Sequence, residues 1–339
     1  MSERESRYAI DARGVEVTYG DGTEAVRGVD LRIPEGEFFG FLGANGAGKT
    51  TTIKTLVTLL SATGGEISIN GYDVDESPRA VRQTVGYMAQ ETAIDTDLTA
   101  RENIQFACEA YGVSGDARAD RIDELLDLVE LADVQDKTAD GFSGGMKKRL
   151  DAATALVHEP PLVFLDEPTT GLDPKARNRL WDYFERINEQ GTTLFLTTQY
   201  LEEADQLCDR LSLIRDGQIV ATGSPDELKS QVGGQRLDID IDAADPEPAV
   251  AVAREFFGTD ATIEPTDDGL GVTAESARER GTDLLVALRD ADIAVTGFNI
   301  RAPTLDDVFL AITDDDDSLD GGNAAEPTPA GATDAEGGR

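Results

Sequence analysis

The chain has 339 residues, 40% of them hydrophobic and 29% charged, enough to bury a sizeable core in two domains. Against 67 acids stand 30 bases, a net charge of −37, which excludes a surface matched to a nucleic-acid backbone. No run of about 18 apolar residues occurs, so no membrane-spanning helix is expected, and the charged residues 1–7 carry no apolar stretch of the signal-peptide kind.

Residues 8–33 read as short alternating strands, Val15-Glu16-Val17-Thr18-Tyr19 and Val29-Asp30-Leu31-Arg32-Ile33, with a turn at Asp21-Gly22 between them. An apolar strand, Phe38 to Leu42, runs into Gly43-Ala44-Asn45-Gly46-Ala47-Gly48-Lys49-Thr50, and a helical pattern over 51–60 follows. This is G-x-x-x-x-G-K-[ST] in the strand–loop–helix setting that gives it meaning. Glycines let the backbone wrap a phosphate, successive N–H groups and the helix N-terminus face the anion, and Lys49 adds a full charge. The Thr50 hydroxyl can ligate Mg²⁺. The chain therefore binds a nucleoside triphosphate.

Glu66-Ile67-Ser68-Ile69 and Thr84-Val85-Gly86-Tyr87-Met88 are further strands. The period turns helical from Thr99 to about Glu130, and again over 143–157. Phe142-Ser143-Gly144-Gly145-Met146 opens that second helix; alone it is a glycine-rich helix start that also suits an anion. Leu162-Val163-Phe164-Leu165-Asp166 is a short buried strand ending in the pair Asp166-Glu167. A carboxylate at that strand end, beside a phosphate loop, can hold a Mg²⁺ shell, and its neighbour can orient or deprotonate the attacking water. A helix over 174–188 and a strand over 192–197 follow, and Ser224-Pro225-Asp226-Glu227 is a capping box. Near Gly233-Gly234 the pattern changes. Beyond it a strand around Leu237, Ile239 and Ile241, helices over 246–257, 276–290 and 304–312, and intervening strands make a small α/β unit. Residues 314–339 carry eight acids and one base with almost nothing large and apolar, and are expected to be disordered.

The phosphate loop at 43–50, Ser143-Gly144-Gly145, Leu165-Asp166-Glu167-Pro168-Thr169 and Gly171-Leu172-Asp173 occur in the order and spacing of ABC-transporter ATP-binding subunits. The resemblance covers residues 8–230. Pro303-Thr304-Leu305-Asp306-Asp307-Val308-Phe309-Leu310 is similar to the C-terminal extension of the daunorubicin-resistance type of drug-export ATPase. The resemblance implies an α/β fold: a P-loop NTPase (RecA-like) core with an antiparallel β subdomain and a helical subdomain, plus a small C-terminal α/β domain. The expected division is a flexible N-terminus at 1–7, an ATPase domain at 8–232 with its helical subdomain at about 91–150, an accessory domain at 235–313, and the acidic tail.

The resemblance also implies roles. Tyr19 would stack on adenine. Gly43, Ala44, Asn45, Gly46, Ala47, Gly48, Lys49, Thr50 and Thr51 would hold ATP, with Thr50, Gln90 and Asp166 around Mg²⁺ and Glu167 on the water. Gln90 would also hinge toward the membrane partner. Ser143, Gly144 and Gly145 would reach the γ-phosphate bound to a second protomer, and Asp173 would lie at that dimer interface. The implied assembly is a homodimer on ATP, peripheral at the cytoplasmic face of the membrane, driving a separate transmembrane permease that exports drug-like or hydrophobic compounds. Nucleic acid is not an expected partner.

Two departures bear on this. The family signature usually reads Leu-Ser-Gly-Gly-Gln, and here Phe142 and Met146 flank Ser143-Gly144-Gly145. The switch position after Thr197-Thr198 is usually histidine and here is Gln199, which can hydrogen-bond a phosphate but cannot carry a proton. The sole histidine, His158, lies at the end of the signature helix and reads as structural. The substitution puts the weight of catalysis on Glu167, with Gln199 beside it. It also leaves open a nucleotide-sensing regulator with little hydrolysis. A non-transport ABC ATPase of chromosome maintenance would need a long coiled coil between phosphate loop and signature, which is missing. A translation-factor ATPase would need two cassettes.

Cys108 and Cys208 show no metal or redox spacing, which suits a reduced compartment. The acidity extends well beyond the tail, and only seven of the 30 bases are lysine, a composition resembling salt-in halophiles. Self-repulsion of that size is screened when the Debye length falls to about 3 Å near molar salt.

Overall fold

Alternation of apolar and polar residues builds the first layer. In the computed structural model, which describes residues 8–231, 234–242, 246–259, 261–274 and 276–317, strands β1 (Tyr8–Thr18) and β2 (Glu24–Pro34) pair antiparallel. The two strands expected near residues 15–19 and 29–33 are thus parts of longer ones. Val15 and Val17 of β1 and Val29, Leu31 and Ile33 of β2 alternate into one core, and Ile10 joins them from the other parity because β1 shifts register between Ala12 and Val15. The turn between them closes through Gly22 N to Tyr19 O (2.9 Å).

The buried strand β3 (Phe38–Leu42) leads through the glycine-rich loop into α1 (Lys49–Leu56), shorter than the helix expected to residue 60. Strands β4 (Gly64–Ile69) and β5 (Tyr72–Asp73) extend the first sheet to the order β2-β1-β4-β5. Helix α2 (Pro78–Thr84) then precedes β6 (Val85–Met88).

The helical stretch expected from Thr99 to Glu130 is two helices, α3 (Ala100–Ala110) and α4 (Asp116–Leu128). Gly112 and Gly115, both at positive φ, separate them. Thr99 and Glu102 form a reciprocal capping box at the start of α3. Next come α5 (Gly144–Ala155), β7 (Leu162–Asp166), α6 (Pro174–Glu189) and β8 (Thr193–Thr198). Helix α7 (Leu201–Leu207), strands β9 (Arg210–Arg215) and β10 (Gln218–Gly223) and helix α8 (Pro225–Gln231) complete this part. The second sheet runs β10-β9-β3-β8-β7-β6, parallel except for β10. Every residue of β3, β7 and β8 is buried, the mark of central strands covered on both faces. Their carboxyl ends lie side by side, which brings the glycine-rich loop, Asp166-Glu167 and Gln199 to one edge.

The remaining elements are β11 (Gln235–Ile241), α9 (Glu247–Phe257), β12 (Thr262–Thr266), β13 (Gly269–Ala274), α10 (Ala277–Asp290), β14 (Val295–Arg301) and α11 (Leu305–Asp317). The strands form an antiparallel sheet in the order β12-β13-β11-β14. Leu237, Ile239, Leu270, Val272, Leu284 and Leu288 belong to a core of their own. Helix α11 departs from that division. Its Leu305 and Val308 pack in the same core as Leu207 and Leu228 of α7 and α8, while Asp307 is tied to Arg301 of β14 at 2.6 Å. The helix also runs to Asp317, four residues into the stretch read as tail; the rest of that stretch and residues 1–7 lie outside the described residues. Among the described residues no helix is long and apolar enough to cross a membrane.

Candidate functional site

The loop after β3 folds as it does because two of its glycines leave no room for a side chain. A Cβ on Gly43 would lie 2.3 Å from the Ile214 carbonyl oxygen, and one on Gly48, at φ +110°, 2.5 Å from that of Ala25. The backbone therefore turns tightly against β9 and β2 and enters α1 at Lys49. A cavity of about 940 Å³ opens over it, lined among others by Tyr19, Asn45, Lys49, Thr51, Glu167 and Gln199. Gly46, Gly48, Thr50 and Gln90 line it too.

Lys49 is 4% exposed, and its Nζ donates to the carbonyl oxygens of Gly43 (2.7 Å) and Ala44 (3.1 Å). It also sits 3.6 Å from Glu167 Oε1. Burial pulls the lysine below its usual pKa, and the charges of Glu167 and Asp166 oppose that shift. Ala47 is buried and stands behind the cavity, its carbonyl oxygen accepting from Gly217 N at 3.0 Å. Tyr19 is exposed at the rim, with its hydroxyl 2.9 Å from Thr51 Oγ1.

At the end of β7, Asp166 Oδ1 accepts from Thr197 Oγ1 (2.6 Å) and from Thr50 Oγ1 (3.3 Å). Its other oxygen, Oδ2, is buried without a partner. An orphaned carboxylate oxygen beside a threonine hydroxyl suits a hard cation. No group of three His, Cys, Asp or Glu side chains among the described residues could hold a metal alone. A Mg²⁺ ion keeps waters and takes one or two carboxylates together with phosphate oxygens, a set to which Asp166 and Thr50 could contribute.

Glu167 stands at φ +48°, a left-handed backbone that a non-glycine residue adopts only when its surroundings hold it there. Its N–H donates to the Thr197 carbonyl at 3.0 Å. Its Oε2 accepts from Gln90 Nε2 (3.1 Å) and Thr170 Oγ1 (3.3 Å), and the side chain is almost wholly buried. Gln90 is gripped from behind by α5. Lys148 Nζ donates to the Gln90 carbonyl at 2.6 Å, and Asp151 Oδ1 accepts from Ala93 N at 3.1 Å. Burial pushes Asp151 up to about 6, against the pull of Ala93 N–H and Lys148.

Thr197, Thr170, Lys148 and Asp151 were not legible in the sequence as parts of this site. The two threonines flank motifs that were read. The other two are a lysine and an aspartate in a helix whose inward face shows only in three dimensions.

The other half of the expected site lies elsewhere. Ser143, Gly144 and Gly145 are not among the residues lining the cavity. Ser143 caps α5, its Oγ accepting from Met146 N at 3.3 Å, and Met146 packs on the core behind it. Asp173 is exposed and caps α6, accepting from Ala176 N at 2.9 Å. His158 stacks on Tyr111 with ring centroids 3.8 Å apart, beside the Val85 carbonyl, and burial lowers its pKa.

Comparison with known proteins gives a consistent picture. A family model described as ABC transporter matches residues 26–170, and one described as ATP-binding protein DrrA1-3-like, C-terminal domain, matches 223–313. The chain is 41% identical over 308 residues to the daunorubicin resistance ATP-binding protein DrrA3 of Streptomyces coeruleorubidus, covering 91% of this chain and 96% of that one. It is 40% identical to the daunorubicin/doxorubicin resistance ATP-binding protein DrrA of Streptomyces peucetius, covering 90% and 92%. The linearmycin resistance ATP-binding protein LnrL of Bacillus subtilis is 32% identical, with coverage of 90% and 98%. Among solved structures, cbiO1 from Clostridium perfringens, part of the ABC transporter complex cbiONQ, superposes with a TM-score of 0.62 at 26% identity, covering 66% of this chain and 90% of that one. The dimeric post-hydrolysis state of the ATP-binding cassette MJ0796, bound to ADP and Pi, gives 0.58 at 28% identity, covering 63% and 98%.

Proposed function

The chain belongs to the ABC transporter ATP-binding subunits, and on that premise we propose that it closes head to tail on a second copy around two ATP molecules and drives a separate membrane permease. It is an ATP-binding and ATP-hydrolysing subunit related to drug-resistance export ATP-binding proteins.

The observation that carries the reading is the convergence of Lys49, Thr50, Gln90 and Glu167 on one cavity, with Asp166 behind Thr50 and Ser143-Gly144-Gly145 standing apart. Lys49 and the backbone of 43–50, with Thr51, hold the phosphates, and Tyr19 stacks on the adenine. Thr50, Asp166 and Gln90 would hold Mg²⁺, which when bound neutralises charge on the phosphate oxygens. Glu167 takes the proton of the attacking water; Gln90 and Thr170 keep one of its oxygens occupied so that the other is aimed. Gln199 donates an amide N–H to the γ-phosphate. Ser143, Gly144 and Gly145 act on the nucleotide of the opposite copy, whose surface Asp173 also meets.

Export of hydrophobic, drug-like compounds follows the names of the relatives, and a peripheral seat at the cytoplasmic face follows from a permease partner. Residues 8–232 would be the ATPase unit, with 91–150 its helical part, and 235–313 an accessory unit whose last helix is docked on the first. The acidic composition would suit work near molar salt.

Steady-state ATPase assays and thermal melts in a KCl series test this reading. Hydrolysis should require Mg²⁺, vanish in Lys49→Ala, and rise with the melting temperature toward molar salt. Turnover that survived EDTA or Lys49→Ala would overturn the site. A melting temperature falling with salt would overturn the halophilic part alone.

A further inference from the structure

Glu203 is a carboxylate with 0% exposure, in α7, four residues after Gln199, and the reaction described above does not use it. Burying a carboxylate is costly unless partners hold it, so its partners are informative. Glu203 Oε1 accepts from Trp181 Nε1 of α6 at 2.9 Å. Its other oxygen and the Thr169 hydroxyl are both buried without a direct partner. Burial raises the Glu203 pKa above the usual carboxylate value, and the Thr198 hydroxyl, the indole, the Thr169 hydroxyl and the Arg177 charge oppose that rise only in part. Arg177 and Trp181 lie one turn apart on α6, and the Arg177 guanidinium sits 5.5 Å from the Trp181 ring centroid and 5.8 Å from that of Tyr200. The Tyr200 N–H in turn donates to Thr198 Oγ1 at 2.9 Å, closing the turn that carries Gln199.

Three segments thus meet at one buried group. Thr169 follows Glu167 by two residues. Thr198 and Tyr200 bracket Gln199. Arg177 and Trp181 belong to the helix that Asp173 caps. We propose that Glu203 is a positioning residue, which through Trp181, and with Thr198 beside it, locks the Gln199 turn to α6 so that the two move as one when nucleotide is bound. This rests on the function proposed above. It adds a reporter, because Trp181 is the only tryptophan in the chain.

The test uses the full-length chain with ATP and Mg²⁺. Glu203→Gln keeps the shape and the acceptor for the indole but removes the charge facing Arg177. It should lower kcat about tenfold while KM stays within about twofold, the loss of one charge-assisted contact. Trp181→Phe, which loses only the N–H and some ring area, should lower kcat in the same direction by a smaller factor. It decides the matter if Glu203→Gln does not fold. In a Glu167→Gln background, where hydrolysis is blocked, ATP should shift the Trp181 emission, and adding Glu203→Gln should abolish the shift. Wild-type kcat in the foldable variants, with only a lower melting temperature, would mean a structural role and overturn the inference. So would Trp181 emission indifferent to ATP. A wild-type chain that hydrolysed no ATP would instead remove the function proposed above, and this inference with it.

Discussion

The polar groups around Lys49 and those at the start of α5 are satisfied in opposite ways. Lys49, Glu167, Gln90, Thr170, Asp166, Thr50 and Thr197 hold one another, several of them buried, on the ends of adjacent parallel strands. Among the described residues Ser143 and Asp173 make the capping bonds of their own helices, and Gly144 has open space where a side chain would stand. One half is a preorganised pocket; the other presents helix N–H groups outward. Between them lies a joint, the grip of Lys148 and Asp151 on the backbone at Gln90 and Ala93. On the function proposed above, this pocket would be completed by the start of α5 from another copy.

Removing the base strikes the pocket half hardest. Glu167→Gln should bind ATP with near-normal affinity, lose at least a hundredfold in turnover, and accumulate as a dimer in size-exclusion chromatography with ATP. Monomeric elution with ATP bound would separate the two halves of the account. The next effect is at Gln199. Gln199→Ala should cost about ten- to a hundredfold in rate, the worth of a hydrogen bond to a charged group, about 1.5–3 kcal/mol. Gln199→His should retain activity and acquire a pH dependence near the ordinary histidine value of about 6.5, which the wild type lacks. An unchanged rate in Gln199→Ala would make that residue a bystander.

The joint carries a pH-dependent effect on stability, with no comparable change in turnover expected. Asp151 has a folded-state pKa of about 6 against 3.8 in the open chain, so the folded protein binds the extra proton in that window. Stability therefore falls as pH rises from about 4 through about 6, by about 3 kcal/mol for a shift of about two units. Asp151→Asn keeps an acceptor for Ala93 N–H and removes the titration. The stability difference between variant and wild type should move in the variant's favour by that order across the window. A difference constant with pH would mean that Asp151 stays charged throughout.

How much of this the sequence revealed depends on how local each feature is. The phosphate loop was legible because eight adjacent residues and their flanks make it, and Asp166-Glu167 because an apolar strand ends on them. The grip of Lys148 on the Gln90 carbonyl spans 58 residues and ends on backbone, so no side-chain pattern announces it. From residue 314 the chain reads as tail because acids dominate and almost nothing large and apolar follows, yet α11 runs on to Asp317 through four consecutive aspartates. Asp173 shows the converse: capping α6 is reason enough for an aspartate there, and its place at an interface remains a proposal.

The most direct test of the two-copy site mixes two inactive chains. Lys49→Ala disables the pocket and leaves the start of α5 intact. Gly144→Asp sets a negative charge at that start, where its Cβ meets nothing within 4 Å, and leaves the pocket intact. Each alone should hydrolyse almost no ATP. In a mixture, every mixed dimer pairs the sound pocket of one chain with the sound helix start of the other, so ATPase activity should reappear and peak at equal proportions. Activity that stayed at the level of the separate variants would contradict a site shared between two copies.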